Sequence, residues 1–183
     1  MPFNLFRRRG KEDAPTGAAP TARSPGRKVR FDGLSEDWRL VGYMQIVGRL
    51  SDALNRREPV ELSEMRWASV VDGGPLEDAP GLRTIDPYDL IMVLAGDDSL
   101  PPLSEEERAA LRLHKVSYDV ELALPPYRVV GRVYLFPGTD PSKLLERATE
   151  MFMPVTDAVA TLEGRRVNDP NIDTILVNRF YLR

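Results

Sequence analysis

"WRLVGYMQIV", residues 38–47, and "YRVVGRVYLF", residues 127–136, follow one pattern, sharing Arg, Val and Gly at matched positions, with the glycine near the centre of each. Under the two-residue alternation of a strand, Trp38, Leu40, Gly42, Met44 and Ile46 share one face. Tyr127, Val129, Gly131, Val133 and Leu135 do the same in the second stretch. The opposite faces also agree: Arg39 with Arg128, Val41 with Val130, Val47 with Phe136. Two faces matching at once imply one register and one environment, because a slip of one residue would exchange the faces.

The correspondence extends in both directions. A short strand precedes each copy, "RKVRFD" (27–32) and "VSYDVELAL" (116–124). A helical stretch follows each, "RLSDALNRRE" (49–58) and "PSKLLERATE" (141–150). Asp140 before Pro141 reads as an N-cap followed by the proline tolerated at the first helical position. Next come "VELSEMRWASVV" (60–71) and "MPVTDAVATL" (153–162), which align Leu62-Ser63-Glu64 with Val155-Thr156-Asp157. A final strand is expected in "TIDPYDLIMVLA" (84–95) and in "LVNRFYLR" (176–183). Offsets between matched residues run only from 89 to 93, as a few loop insertions would produce. The expected fold is mainly β with short helices (α+β). It is built from two pseudo-symmetric repeats of a strand-strand-helix-strand-strand unit, as a small barrel or a strongly bent sheet. The divisions are a disordered basic arm and linker at 1–27, a first β repeat at 28–95, a connector with a helix at 96–115, and a second β repeat at 116–183.

These residues resemble a small bacterial β domain family without an assigned function, present here in two divergent tandem copies. The resemblance rests on Gly-x-Val-x-Leu, a turn, Leu-Ser-Asp-x-Leu-Asn and a closing Val-Thr-Asp-Ala. The first copy supplies "LSDALN" (50–55) and the second "PVTDA" (154–158). The second copy departs with "SKLLER" in place of "SDALNR", and the first with "LSEM" in place of "VTDA". The resemblance implies no catalytic residue.

A glycine inside a strand weakens it unless the backbone must bend or something must approach closely. Gly42 and Gly131 lie on apolar faces between large side chains, so both are read as structural. In the connector, Pro101 and Pro102 break the chain. Ser104 with Glu107 then forms a capping box for a helix over about 105–115, with Ala109, Ala110, Leu111 and Leu113 as its apolar side.

Composition narrows the chemistry. The 183 residues are 42% hydrophobic, enough for a core, and contain no cysteine, which excludes disulfides and thiolate chemistry. The lone histidine, His114, sits in the polar connector and reads as an exposed surface residue. No nucleophile elbow and no phosphate-cradling glycine loop occurs. Asp97-Asp98, Glu105-Glu106-Glu107 and Asp169-Asp173 lack the spacing of a carboxylate metal site, so no metal and no cofactor is expected. Glu64 and Asp157, at matched positions, either cap turns or line a shared groove between the repeats.

Charge is divided unevenly. Residues 1–30 carry eight Lys/Arg and two Asp/Glu, a net of +6, which leaves −9 for the rest. Phe3, Leu5 and Phe6 precede Arg7, Arg8 and Arg9, and the stretch at 10–27 reads as a flexible linker. That arm could contact an anionic membrane or nucleic acid weakly. The expected function is a non-catalytic binding or scaffold protein with an unknown protein partner. The alternatives are a nucleic-acid-binding small barrel, with Tyr43 and Tyr134 as stacking residues near Arg39, Arg128 and Arg132, and a weakly membrane-associated regulatory protein. The watched aromatics are Trp38, Tyr127, Trp67 and Tyr43, with core packing the simpler account of Trp38 and Tyr127. A cytoplasmic location is expected, with peripheral attachment to the inner membrane surface as a possibility.

Overall fold

A computed structural model describes residues 26–99, 104–112, 114–140 and 149–183. In its first half the strands are β1 (Arg27–Leu34), β2 (Trp38–Ile46), β3 (Val60–Glu61), β4 (Ser63–Ser69), β5 (Glu77–Asp78), β6 (Thr84–Ile85) and β7 (Met92–Ala95). The second half holds β8 (Val116–Leu124), β9 (Tyr127–Leu135), β10 (Phe152–Leu162), β11 (Arg165–Arg166) and β12 (Thr174–Asn178). The α-helices among the described residues are α1 (Leu50–Leu54) and α2 (Glu105–Arg112).

The two matched stretches are β2 and β9, the central strand of three in each half. β2 pairs antiparallel with β1 and places Phe31 opposite Gly42; β9 pairs with β8 and places Val120 opposite Gly131. Ser35 tightens the first hairpin, its backbone N–H donating to Trp38 O at 2.9 Å and its hydroxyl accepting from Trp38 N at 3.1 Å. α1 buries Leu50 and Leu54, which lie four apart and so on one side of the helix. The second expected helix, with its Asp140–Pro141 start, falls at residues 141–148 and lies outside the described residues.

One continuous sheet runs β5-β4-β2-β1-β7-β12-β10-β9-β8, with β11 beside β10; β3 and β6 form a separate two-stranded ladder. The sheet is open, ending at β5 and β8, so no closed barrel forms among the described residues. Central β7 and β12 are buried at every position. This explains why "MVLA" and "TILVN" show no polar alternation: both faces are covered. Val93, Ala95 and Leu176 join one apolar cluster with Phe31, Met44 and α1, whereas Met92, Leu94, Ile175 and Val177 join another with Val129, Val133 and Leu162. The two halves thus pack most of their strands on opposite faces of the same central pair.

The expected final strands are interrupted. The Asp86 side chain accepts from Tyr88 N at 2.9 Å and Asn178 accepts from Phe180 N at 3.1 Å, each starting a 3-10 turn, at Pro87–Asp89 and at Arg179–Tyr181. Pro87 has no N–H to give a ladder, which ends β6 there. Asn178 is fully buried and donates to Leu90 O at 2.8 Å, tying the second turn to the strand that follows the first.

The capping box forms as expected: Ser104 N donates to Glu107 Oε2 at 2.8 Å and Glu107 N to Ser104 Oγ at 3.2 Å. The described helix covers Glu105–Arg112 and His114 is already in a turn, short of the expected 115, and Ala109 and Ala110 are exposed. The expected disordered arm falls almost entirely outside the described residues. Its last residue, Arg27, is already structural, donating to Ser99 O at 3.0 Å and to Gly48 O at 3.3 Å.

Candidate functional site

Each set of three strands carries a bulge at the glycine. Between Val41 and Tyr43 the β2–β4 register shifts, and between Thr156 and Val159 the β9–β10 register shifts in the same sense. The bulged residues are Glu64 and Asp157, with φ of 52° and 48°. A side chain at Gly42 would meet Ser63 O at 2.8 Å, and one at Gly131 would meet Thr156 O at 2.8 Å and Ala158 Cα at 3.1 Å. The glycines therefore admit the bulged backbone of the neighbouring strand, a closer approach than any Cβ permits.

The bulges re-aim the two carboxylates, and each finds a cation in its own half. Lys28 Nζ binds Glu64 Oε1, and Arg132 NH1 binds Asp157 Oδ2 at 3.0 Å while its Nε reaches Asp119 at 3.2 Å. Glu64 lines a cleft of about 710 Å³ with Gly42, Tyr43, Arg30, Arg66 and Arg83. Asp157 does not line it, so this cleft is not a groove shared by the two acids; it opens over the first bulge. A smaller hollow of about 520 Å³ lies at the β8–β9 turn, around Pro125, Pro126 and Tyr127.

The aromatic residues divide differently from expectation. Tyr127 is in the core, 3% exposed, and its hydroxyl donates to Ser35 O at 2.7 Å. Trp38 is not core: it is 42% exposed and stacks on Trp67, itself 40% exposed, with centroids 5.0 Å apart. Trp38 opens β2 beyond the end of the apolar cluster, and Leu40 lies opposite Trp67, so the two indoles meet as a diagonal cross-strand pair. A second exposed stack, Tyr88 on Phe180 at 5.9 Å, has no signature in the sequence, because each ring lies in a 3-10 turn within a segment whose apolar run predicts strand.

Cations near the outer tyrosines are occupied. Arg39 binds Asp32 through two nitrogens at 2.9 and 2.7 Å, Arg128 binds Glu121, and Lys28 stands 4.2 Å above the Tyr43 ring while binding Glu64. The Asp32 carboxylate is 2% exposed, making this the most deeply placed ion pair among the described residues. It raises the Arg39 pKa, chiefly through the hydrogen bond. The sequence hint was an acid on an apolar strand, with a basic residue seven positions on across a tight hairpin.

Burial, with a smaller contribution from Asp37, holds the Tyr127 phenol above the usual tyrosine range. The neutral form is the one the fold accepts. That contribution to stability is complete below about pH 10 and is lost as pH rises through the raised value. In an absorbance titration of the six tyrosines, Tyr127 is expected to ionise last and together with unfolding. Tyr127→Phe should remove the late step; an unchanged titration curve would contradict the assignment.

Among the described residues no group of three His, Asp or Glu side chains is placed to hold a metal, and His114 is exposed. No helix there is long and apolar enough to cross a membrane. Phe3, Leu5, Phe6, Arg7, Arg8 and Arg9 lie outside the described residues. No family model, curated protein or solved structure matches the chain.

Proposed function

We infer that the protein is a non-catalytic binding or scaffold module, formed by two copies of one small β unit of the family it resembles and carrying a basic N-terminal tether. Duplication is supported by the ladder registers. Leu40 opposite Trp67 corresponds to Val129 opposite Ala160, and Val60 opposite Ile85 to Met153 opposite Val177. The capped turns at Asp86 and Asn178 correspond too, and their rings, Tyr88 and Phe180, stack on each other. β7 then joins the units, pairing with β1 on one side and β12 on the other.

The observation that carries the binding reading is the exposed Trp38–Trp67 stack. Tryptophan dominates binding hot spots because one rigid side chain removes much apolar area from water. Here two of them stand on adjacent strands of a hydrogen-bonded sheet, so little side-chain entropy remains to be lost on docking. The nucleic-acid alternative is weakened by the carboxylates that hold Arg39, Arg128 and Arg132.

The test is cross-linking capture in the source cells with wild type and Trp67→Ser. A defined protein partner that is retained by wild type and lost with Trp67→Ser is the expected result; a partner set indifferent to the substitution would contradict it. A chain lacking residues 1–25 should keep its cooperative melting transition, because the described sheet and core are built from residues after position 25. Loss of that transition in calorimetry would refute the division between arm and body.

A further inference from the structure

We propose that the cleft over the first bulge is a docking groove for an acidic, extended peptide segment of the partner protein. This rests on the binding reading above and specifies the chemistry of the partner. The groove lies where the β2–β4 ladder is interrupted: the bulged strand fills the space beside Gly42 and turns Glu64 aside to Lys28. Leu62, Met65, Ala79 and Leu82 contribute apolar atoms to its lining. Arg30, Arg66 and Arg83 border it.

The charge balance of this lining is opposite to that of the body. Among the described residues neither Arg66 nor Arg83 belongs to an ion pair, and both are exposed. Arg30 reaches Asp32 Oδ2 at 3.5 Å, the oxygen that Arg39 NH2 already holds at 2.7 Å. The acids of the lining are Glu64, held by Lys28, and Asp78, which lies opposite Arg66 on the β4–β5 ladder, so Arg66 and Arg83 outnumber the one acid left to them. Guanidinium groups bind carboxylates through paired N–H donors, which suits fixed acidic side chains better than diffuse charge.

An extended peptide fits this pattern. Its side chains alternate, so acids can meet the arginines while apolar residues lie over half-buried Leu82 and the edges of Leu62 and Met65. A nucleic acid fits less well: its affinity comes from a continuous run of phosphates, and Glu64, Asp78 and the acidic body oppose such a run.

The experiment uses the full chain and three fluorescent probes at low and moderate salt: a peptide alternating Glu and Leu, one alternating Lys and Leu, and a thymidine oligonucleotide. Binding of the Glu/Leu peptide is expected, weakening with salt and falling about tenfold or more in Arg66→Gln/Arg83→Gln, since each lost charged hydrogen bond removes that much. Both substitutions are at exposed positions, and an unchanged melting curve checks that the fold is retained. Absence of binding, equal binding of the Lys/Leu peptide, stronger binding of the oligonucleotide, or full affinity in the double variant would each overturn the proposal. If the cross-linked partner is lost with Trp67→Ser yet kept by Arg66→Gln/Arg83→Gln, the groove fails while the binding reading stands.

Discussion

Arg39→Met is expected to destabilise the protein by about 3–5 kcal/mol, a fall of roughly 10 °C or more in melting temperature for a domain of this size. Methionine keeps most of the stem volume, so the loss is electrostatic. Asp32 would remain 2% exposed, with Arg30 at 3.5 Å as its nearest remaining cation in place of the two bonds Arg39 supplies. A buried carboxylate without a close partner costs far more than an exposed pair contributes. Replacing both members, Asp32→Val with Arg39→Met, should recover much of the loss, because an apolar pair of similar size often matches a buried ion pair. A double variant no more stable than the single one would show that the pair is held by something other than its mutual charge.

The second large effect is at Gly131. Valine there should cost about 2–3 kcal/mol, as overpacking a filled site does, and alanine should already cost part of this. The obstacle is backbone, Thr156 O at 2.8 Å and Ala158 Cα at 3.1 Å, which no rotamer change relieves. Gly81 is the control, since a side chain there meets nothing within 4 Å and Gly81→Ala should be close to neutral. Denaturant titration of the three variants gives the order directly. An unchanged midpoint for Gly131→Val would mean that the bulge on β10 is not required.

The parts of the fold that follow from local alternation could be read before the structure. β2 and β9 were visible as period-two strands with matched faces, and β8 falls at the residues expected. The glycines were recognised as structural, but what they accommodate was not: the bulge lies on the neighbouring strand, at Glu64 and Asp157, about twenty-five residues away. The closing segments misled because Asp86 and Asn178 stop their strands by side-chain hydrogen bonds, which an apolar run does not reveal. β7 reads in the sequence as a closing strand, yet it pairs with β1 on one side and β12 on the other. Trp38 followed the inward alternation of its strand, yet it stands beyond the end of the core it points toward. The arginine-bordered cleft had no signature in the chain order, since Arg30, Arg66 and Arg83 come from separate segments and meet only around the interrupted ladder.

The most direct test of the binding account is capture from the source cells with the full chain and with residues 26–183, each with and without nuclease. The account predicts a defined protein partner that survives both truncation and nuclease and is lost with Trp67→Ser. Nucleic acid or membrane material recovered with the full chain alone, and nothing with residues 26–183, would contradict it and transfer the function to the basic arm.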